Sequence, residues 1–220
     1  MSKFLDYYNS EIEKYGGVKN YIIGKAKEKK PLMDRIYAYA ERDKLILEAG
    51  CGTASNSIFL ASKGFRVVGI DRDGKILDLA RKNAKTFGTK IDFVEKEVLN
   101  LDYPEKHFDV AFSHGVLEHY PDEEIIRLLN QQLKISKHVI FSIPSNFFRQ
   151  EQVINGDERF LSKKHWKNLI SKSNGHLIES FGYFYDSEEI KICALKLLSK
   201  TTSNILPLKK PYLGFVVGSK

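Results

Sequence analysis

The chain has 220 residues, 42% hydrophobic and 29% charged, with a formal net charge of +7. That length accommodates one α/β domain with a sizeable core and a small appendage. No apolar run approaches the roughly 18 residues of a membrane span, so a soluble chain without membrane contact is expected. Two cysteines, Cys51 and Cys193, lack a CxxC spacing, which disfavours a disulfide framework or zinc site and suits a reducing, cytoplasmic setting.

Met1 to Ser10 is polar and aromatic, without the apolar segment of a secretory signal. Residues 1–43 read as a helical cap: Tyr7, Tyr8, Ile12 and Tyr15, then Leu32, Met33, Ile36, Tyr37 and Tyr39, fall near helical spacing. Gly16-Gly17 and Pro31 act as breaks. Lys25, Lys27, Lys29 and Lys30 form a basic cluster, and Lys191, Lys196, Lys200, Lys209, Lys210 and Lys220 follow Ile190 with no acid among them. Such runs are usually solvated faces; an anionic partner such as nucleic acid is the other reading. The scarcity of interleaved arginines and aromatics weighs against RNA.

From Lys44 to the end, residues 44–220, strand–helix alternation predicts a mostly parallel sheet with helices on both faces. Strands are expected at 44–48, 65–70, 91–95, 108–112 and 138–143, and helices at 54–63, 74–87 and 122–134. A further helix is expected over 162–173, with Trp166 and Leu169 inward. His176–Tyr185 alternates like a strand, and Tyr212–Val217 reads as the last one. Between them, the spacing of Ile190, Cys193, Leu197 and Leu198 predicts an inserted helix at about 187–203.

The chemistry gathers at the first strand–turn–helix. Gly50 and Gly52 let the backbone approach a ligand and bend sharply into the next helix. A dinucleotide fingerprint wants a third glycine where Ser55 stands, so NAD is disfavoured. Glu48, beside the turn, would repel a phosphate. A cofactor with no phosphate and a positive centre, S-adenosylmethionine, removes that conflict. Asp71 closes the second strand about twenty residues on, placed to accept hydrogen bonds from ribose hydroxyls.

These segments resemble the motifs of the class I S-adenosylmethionine-dependent methyltransferases. Leu47-Glu48-Ala49-Gly50-Cys51-Gly52-Thr53 is similar to their first motif and Val68-Gly69-Ile70-Asp71 to their second. Glu95–Leu101 resembles the third, and Phe108–His119, ending Ser113-His114-Gly115-Val116-Leu117-Glu118-His119, the fourth. Ala54 stands where a third glycine is usual, and Glu97 where an aspartate commonly meets adenine. The resemblance implies a Rossmann-like, seven-stranded, mostly parallel sheet with an antiparallel last strand. It also implies that Glu48, Ala49, Gly50, Cys51 and Gly52 line the cofactor and that Asp71 binds ribose. Arg72 would flank adenine, Glu97 and Val98 would sit at its edge, and Ser113 and His114 would lie near the sulfonium.

Methyl transfer needs a general base only when the acceptor must lose a proton; the candidates are His114, His119 and Glu118. No metal is expected, because His114, Glu118 and His119 form no HExxH. For the acceptor, the candidates are Tyr7 and Tyr8 of the cap, Asp157, Glu158 and Arg159 of a charged loop, and Trp166. The reading is an enzyme, monomeric or homodimeric, acting on an O, N or C nucleophile of a small molecule. An RNA or tRNA methyltransferase and a non-catalytic S-adenosylmethionine-binding protein are the alternatives.

Overall fold

The computed structural model describes residues 3–146, 156–183 and 212–220. The expected inserted helix at 187–203 and the lysines of 191–210 lie outside the described residues. Three helices open the chain: α1 (Lys3–Tyr15), α2 (Val18–Glu28) and α3 (Lys30–Tyr39). Gly16-Gly17 separates the first two. Pro31 sits in the first turn of α3, where its missing N–H costs nothing.

There follow β1 (Leu45–Ala49), α4 (Ser55–Ser62), β2 (Arg66–Asp71), α5 (Gly74–Phe87), β3 (Asp92–Glu95) and β4 (Phe108–His114). A single 3-10 turn, Leu117–His119, leads to α6 (Asp122–Ile135) and β5 (Ser136–Pro144). The described chain ends with α7 (Lys163–Lys172), β6 (Gly175–Tyr183) and β7 (Tyr212–Ser219). The seven strands are ordered β3-β2-β1-β4-β5-β7-β6. β1 to β5 pair in parallel, and β7 runs antiparallel between β5 and β6.

Side-chain alternation explains the layers. Ile46, Val67, Val110, Phe112, Ile140 and Val216 point to one face, under Leu32, Met33 and Ile36 of α3. Leu47, Val68, Ala111, Val139, Phe141 and Phe215 point to the other, against α6 and α7. Strands covered on both faces must be apolar at every position, which is why they read as continuous hydrophobic runs. α1 and α2 pack through Tyr8, Tyr21 and Ile22 onto α4 and α5. Strand order reverses between β1 and β4, and an open sheet leaves a crevice at that point, at the carboxyl ends of the strands.

Candidate functional site

The turn after β1 forms the floor of the crevice. Gly50 and Gly52 have φ of +70° and +53°, a region open to glycine and strained for other residues. A Cβ on Gly50 would stand 2.6 Å from Val116 Cγ2, and one on Gly52 would stand 3.4 Å from the Phe4 ring of α1. Ala54 also takes a left-handed conformation, φ +62°, which costs an alanine about 1–2 kcal/mol relative to the usual third glycine.

Ala54 is the N-cap of α4 and offers no side-chain acceptor. Glu48 does that work from β1. Its Oε2 accepts from the Ser57 N–H at 3.0 Å and from the Ser57 hydroxyl, and its Oε1 accepts from Asn56 Nδ2 at 2.7 Å. The residue is 1% exposed. Burial pushes its carboxyl pKa up, opposed by those hydrogen bonds and by Lys29. This corrects the expected placement of Glu48: its carboxylate is fastened inside the fold and does not face the cofactor crevice. A phosphate is still disfavoured, since an acid already fills the helix N-terminus where a phosphate would bind. Ala49 is buried, leaving its backbone for any ligand. Cys51, buried beneath the turn, donates its N–H to Ile70 O at 2.8 Å; burial, with Glu48 and Asp71 nearby, lifts its thiol pKa well above the usual range.

At the end of β2, Asp71 is half-buried. Its Oδ2 accepts the Gly52 N–H at 2.9 Å and its Oδ1 the Asp73 N–H at 3.1 Å. The carboxylate is therefore pinned against the glycine turn, with lone pairs remaining on each oxygen. Asp73 caps α5 by accepting from the Lys75 and Ile76 N–H groups. Arg72 and Glu97 line an open groove of about 710 Å³ beside it, and Val98 is buried against Val68 and Ile70. Tyr120, which the sequence did not single out, is near enough for its hydroxyl to feel Glu97, Arg72 and Asp71.

The fourth motif leaves β4 towards the crevice. Ser113 is buried with an unpartnered Oγ. His114 Nδ1 lies 2.8 Å from Ser142 Oγ. Burial, aided by Lys29 and Lys25, holds the His114 imidazole pKa well below its usual value, so the ring is neutral at pH 7. His119 Nδ1 lies 2.8 Å from Asp157 Oδ1. A carboxylate only accepts, so in that pair His119 Nδ1 carries the proton. Among the described residues, ligand-type atoms of His119, Asp157 and Glu158 lie within 4.8 Å of one another. His119 Nδ1 is already spent on Asp157.

Glu118 is 2% exposed with Oε2 unpartnered. Burial, reinforced by Glu158 and Asp157, pushes its carboxyl up to about 8 from 4.5. At neutral pH it is a proton donor, not a base. Between about pH 4.5 and about 8 the folded chain holds a proton that the unfolded chain has released, so stability falls as pH rises, by about 1.4 kcal/mol per unit. Glu118→Gln removes that dependence. Urea unfolding at pH 5, 6, 7 and 8 is expected to show the variant gaining about 1.4 kcal/mol per unit on the parent; parallel pH profiles would contradict it.

The acceptor candidates divide. Tyr8 is 4% exposed, donates to Asn83 Oδ1 at 2.8 Å and packs edge-on against Tyr21. Trp166 is fully buried, packed against Phe141 and Phe215. Both belong to the core, which corrects their expected acceptor role; the inward orientation expected of Trp166 holds. Tyr7 remains exposed on α1. Arg159 donates to Tyr120 O and to Asp122 Oδ1, and its N–H donates to Glu118 O. Its guanidinium ties the 156–161 loop to the 3-10 turn, so it braces that turn. Asp157 and Glu158 follow on that loop, and Glu158 Oε2 accepts the Gly156 N–H at 2.8 Å. The basic cluster is also redistributed. Lys25 is buried with Glu11 and Glu28, Lys29 donates to Asn56, and Lys30 pairs with Asp34.

Residues 46–138 match the family model described as a methyltransferase domain. The ubiquinone biosynthesis O-methyltransferase of Yersinia enterocolitica is 36% identical over 104 residues, 46% of this chain and 42% of that protein. The chain thus spans less than half the length of the curated relatives it matches. Magnesium protoporphyrin IX methyltransferase from Synechocystis PCC 6803, solved with bound S-adenosylmethionine, superposes with a TM-score of 0.61 at 17% identity, covering 90% of this chain and 81% of that one. Geranyl diphosphate C-methyltransferase from Streptomyces coelicolor A3(2) gives 0.65 at 11% identity, covering 89% and 78%. At these identities the structures share the fold. Among the described residues, no helix is long and apolar enough to cross a membrane.

Proposed function

We propose, from the match of residues 46–138 to a methyltransferase-domain model, that this chain is a class I S-adenosylmethionine-dependent methyltransferase that binds S-adenosylmethionine at the β1/β4 crevice and methylates an O, N or C nucleophile of a small molecule. The observation that carries the reading is Asp71, pinned by the Gly52 and Asp73 N–H groups beside a helix N-terminus already filled by Glu48. Such a site offers acceptors for ribose hydroxyls and denies a phosphate its donors. The residues therefore fit an adenosyl cofactor without phosphate.

When bound, that cofactor supplies an electrophilic methyl on a sulfonium that departs as a neutral thioether. The protein's part is positioning and exclusion of water. Gly50 and Gly52 admit the amino-acid end, Asp71 holds ribose, and Arg72, Glu97, Val98 and Tyr120 border the adenine. Phe4 brings α1 over the turn, so the first helix covers the cofactor. Where the acceptor must lose a proton, His119 Nε2 takes it, with Asp157 stabilising the imidazolium. Tyr7, Asp157 and Glu158 remain the acceptor-contacting candidates, in a cytoplasmic enzyme that is a monomer or homodimer. The nucleic-acid alternative loses support from the buried Lys25 and Lys29.

Calorimetry with S-adenosylmethionine and S-adenosylhomocysteine tests the first half, and a metabolite screen reading S-adenosylhomocysteine release tests the second. Binding of both, with turnover on some acceptor, is expected. No binding by folded protein would overturn the reading, and binding without turnover on any acceptor would favour the non-catalytic alternative.

A further inference from the structure

Two buried asparagines stand between the N-terminal helices and the glycine turn. Asn83 of α5 accepts from the Tyr8 hydroxyl of α1 with Oδ1, at 2.8 Å, and donates to Thr53 O with Nδ2, at 3.1 Å. Asn56 of α4 accepts from Lys29 Nζ with Oδ1, at 3.0 Å, and donates to Glu48 Oε1 with Nδ2, at 2.7 Å. Lys29 is the residue that joins α2 to α3, and Glu48 and Thr53 flank Gly50 and Gly52 in the chain. These six residues are each at most 5% exposed.

The partners fix which way each amide faces. A backbone carbonyl only accepts, so Asn83 must turn its NH2 to Thr53 and its oxygen to Tyr8, whose hydroxyl then donates. An ammonium only donates, so Asn56 turns its oxygen to Lys29 and its NH2 to the Glu48 carboxyl. Burial and Lys25 lower the Lys29 pKa to about 8, with Glu48 and Glu28 opposing, so the ammonium form prevails at pH 7. A flipped amide would set donor against donor and oxygen against oxygen with both ends buried, so each is held in one orientation. The two sides of the turn are thus tied to different parts of the cap: Thr53 to α1, and Glu48 to the junction of α2 and α3.

We infer that Asn83 and Asn56 are positioning residues that fasten the N-terminal cap to the two sides of the glycine turn, so that the packing of the cap sets the affinity of the turn for its cofactor. Gly50, Gly52 and Ala54 all take left-handed conformations, and a backbone of that kind persists only where its surroundings hold it. Loss of the Tyr8 hydroxyl leaves Asn83 Oδ1 unmet and frees the amide to rotate away from Thr53. The turn then samples other conformations, and only its competent fraction binds. The effect on affinity rests on the S-adenosylmethionine reading; the fastening does not.

Amide hydrogen exchange of the whole chain without cofactor, read residue by residue, tests the fastening, and calorimetry with S-adenosylmethionine tests its effect on affinity. Tyr8→Phe keeps the ring that packs on Tyr21 and removes only the hydroxyl. It is expected to speed exchange of the Gly52 and Ala54 N–H groups by about tenfold and to weaken S-adenosylmethionine binding by a similar factor, while the β5 amides exchange as in the parent. Asn56→Ser, whose short side chain cannot span Lys29 and Glu48, is expected to do the same and to speed exchange of the Ser57 N–H. Ile170→Val, in the cluster of α6, α7 and β5, should lower the melting temperature with turn exchange and affinity at the parent's values. Parent-like turn exchange in both Tyr8→Phe and Asn56→Ser overturns the inference; in one of them, it removes that asparagine from the role. An affinity loss in Ile170→Val as large as theirs overturns it too, by making the effect one of general destabilisation. Faster turn exchange with unchanged affinity contradicts the link between cap and cofactor. If the parent fails to bind S-adenosylmethionine while the two variants loosen the turn, the cofactor reading falls and the fastening stands.

Discussion

Gly50→Val is expected to abolish S-adenosylmethionine binding. Gly50 sits at φ +70°, which costs an ordinary residue about 1–2 kcal/mol and a β-branched one more. The new Cβ would also stand 2.6 Å from Val116 Cγ2. Val116 precedes the 3-10 turn that carries Glu118 and His119, so relieving the clash pushes that turn out of place. Overpacking of this kind costs about 1–3 kcal/mol. The two branches of valine would then occupy the surface that the cofactor needs. Titration calorimetry should show no detectable binding, with a lowered melting temperature. Gly50→Ala, whose single methyl can displace a flexible Val116, should fold and bind more weakly than the parent. Parent-like affinity in either variant would mean that this turn does not meet the ligand.

Asp71→Ala should weaken S-adenosylmethionine binding by about 100-fold or more. A hydrogen bond to a charged group is worth about 1.5–3 kcal/mol, and a ribose offers two hydroxyls, so the lost contacts convert to roughly that factor or beyond. The substitution also unfastens the Gly52 and Asp73 N–H groups, loosening the turn. Asp71→Asn keeps one acceptor oxygen but turns an amide N–H towards one of those two donors, so an intermediate loss is expected. Unchanged affinity in a folded Asp71→Ala protein would refute the ribose role.

Much of the fold is legible in the chain itself. β1 and β4, at the middle of the sheet, are largely apolar at consecutive positions because both faces of the sheet are covered there. They were expected at 44–48 and 108–112, and are found at Leu45–Ala49 and Phe108–His114. Asp71 was legible because a charged residue at the end of an otherwise buried run has few structural uses. Trp166 was legible as an inward residue of its helix and illegible as core-only, since helical spacing does not say what lies opposite. Lys25 and Lys29 read as a solvated basic run, yet they are buried against acids of α1 and α2 and against Asn56. Charge pattern along a chain cannot reveal partners brought in by another helix.

What the sequence determined by itself was the sheet, the glycine turn and the acid at the end of the second strand, because each depends on residues close together in the chain. Tertiary structure decided how those residues are used. Glu48 serves as the cap that Ala54 cannot provide, because β1 and α4 pack so that the carboxylate meets the Ser57 N–H. Glu118 stays protonated to about pH 8 because the fold buries it. His114 meets Ser142 and Tyr183, which lie 28 and 69 residues away along the chain. Protonation and tautomer follow from the solvation and hydrogen-bond partners of a group, and those are properties of the packed molecule.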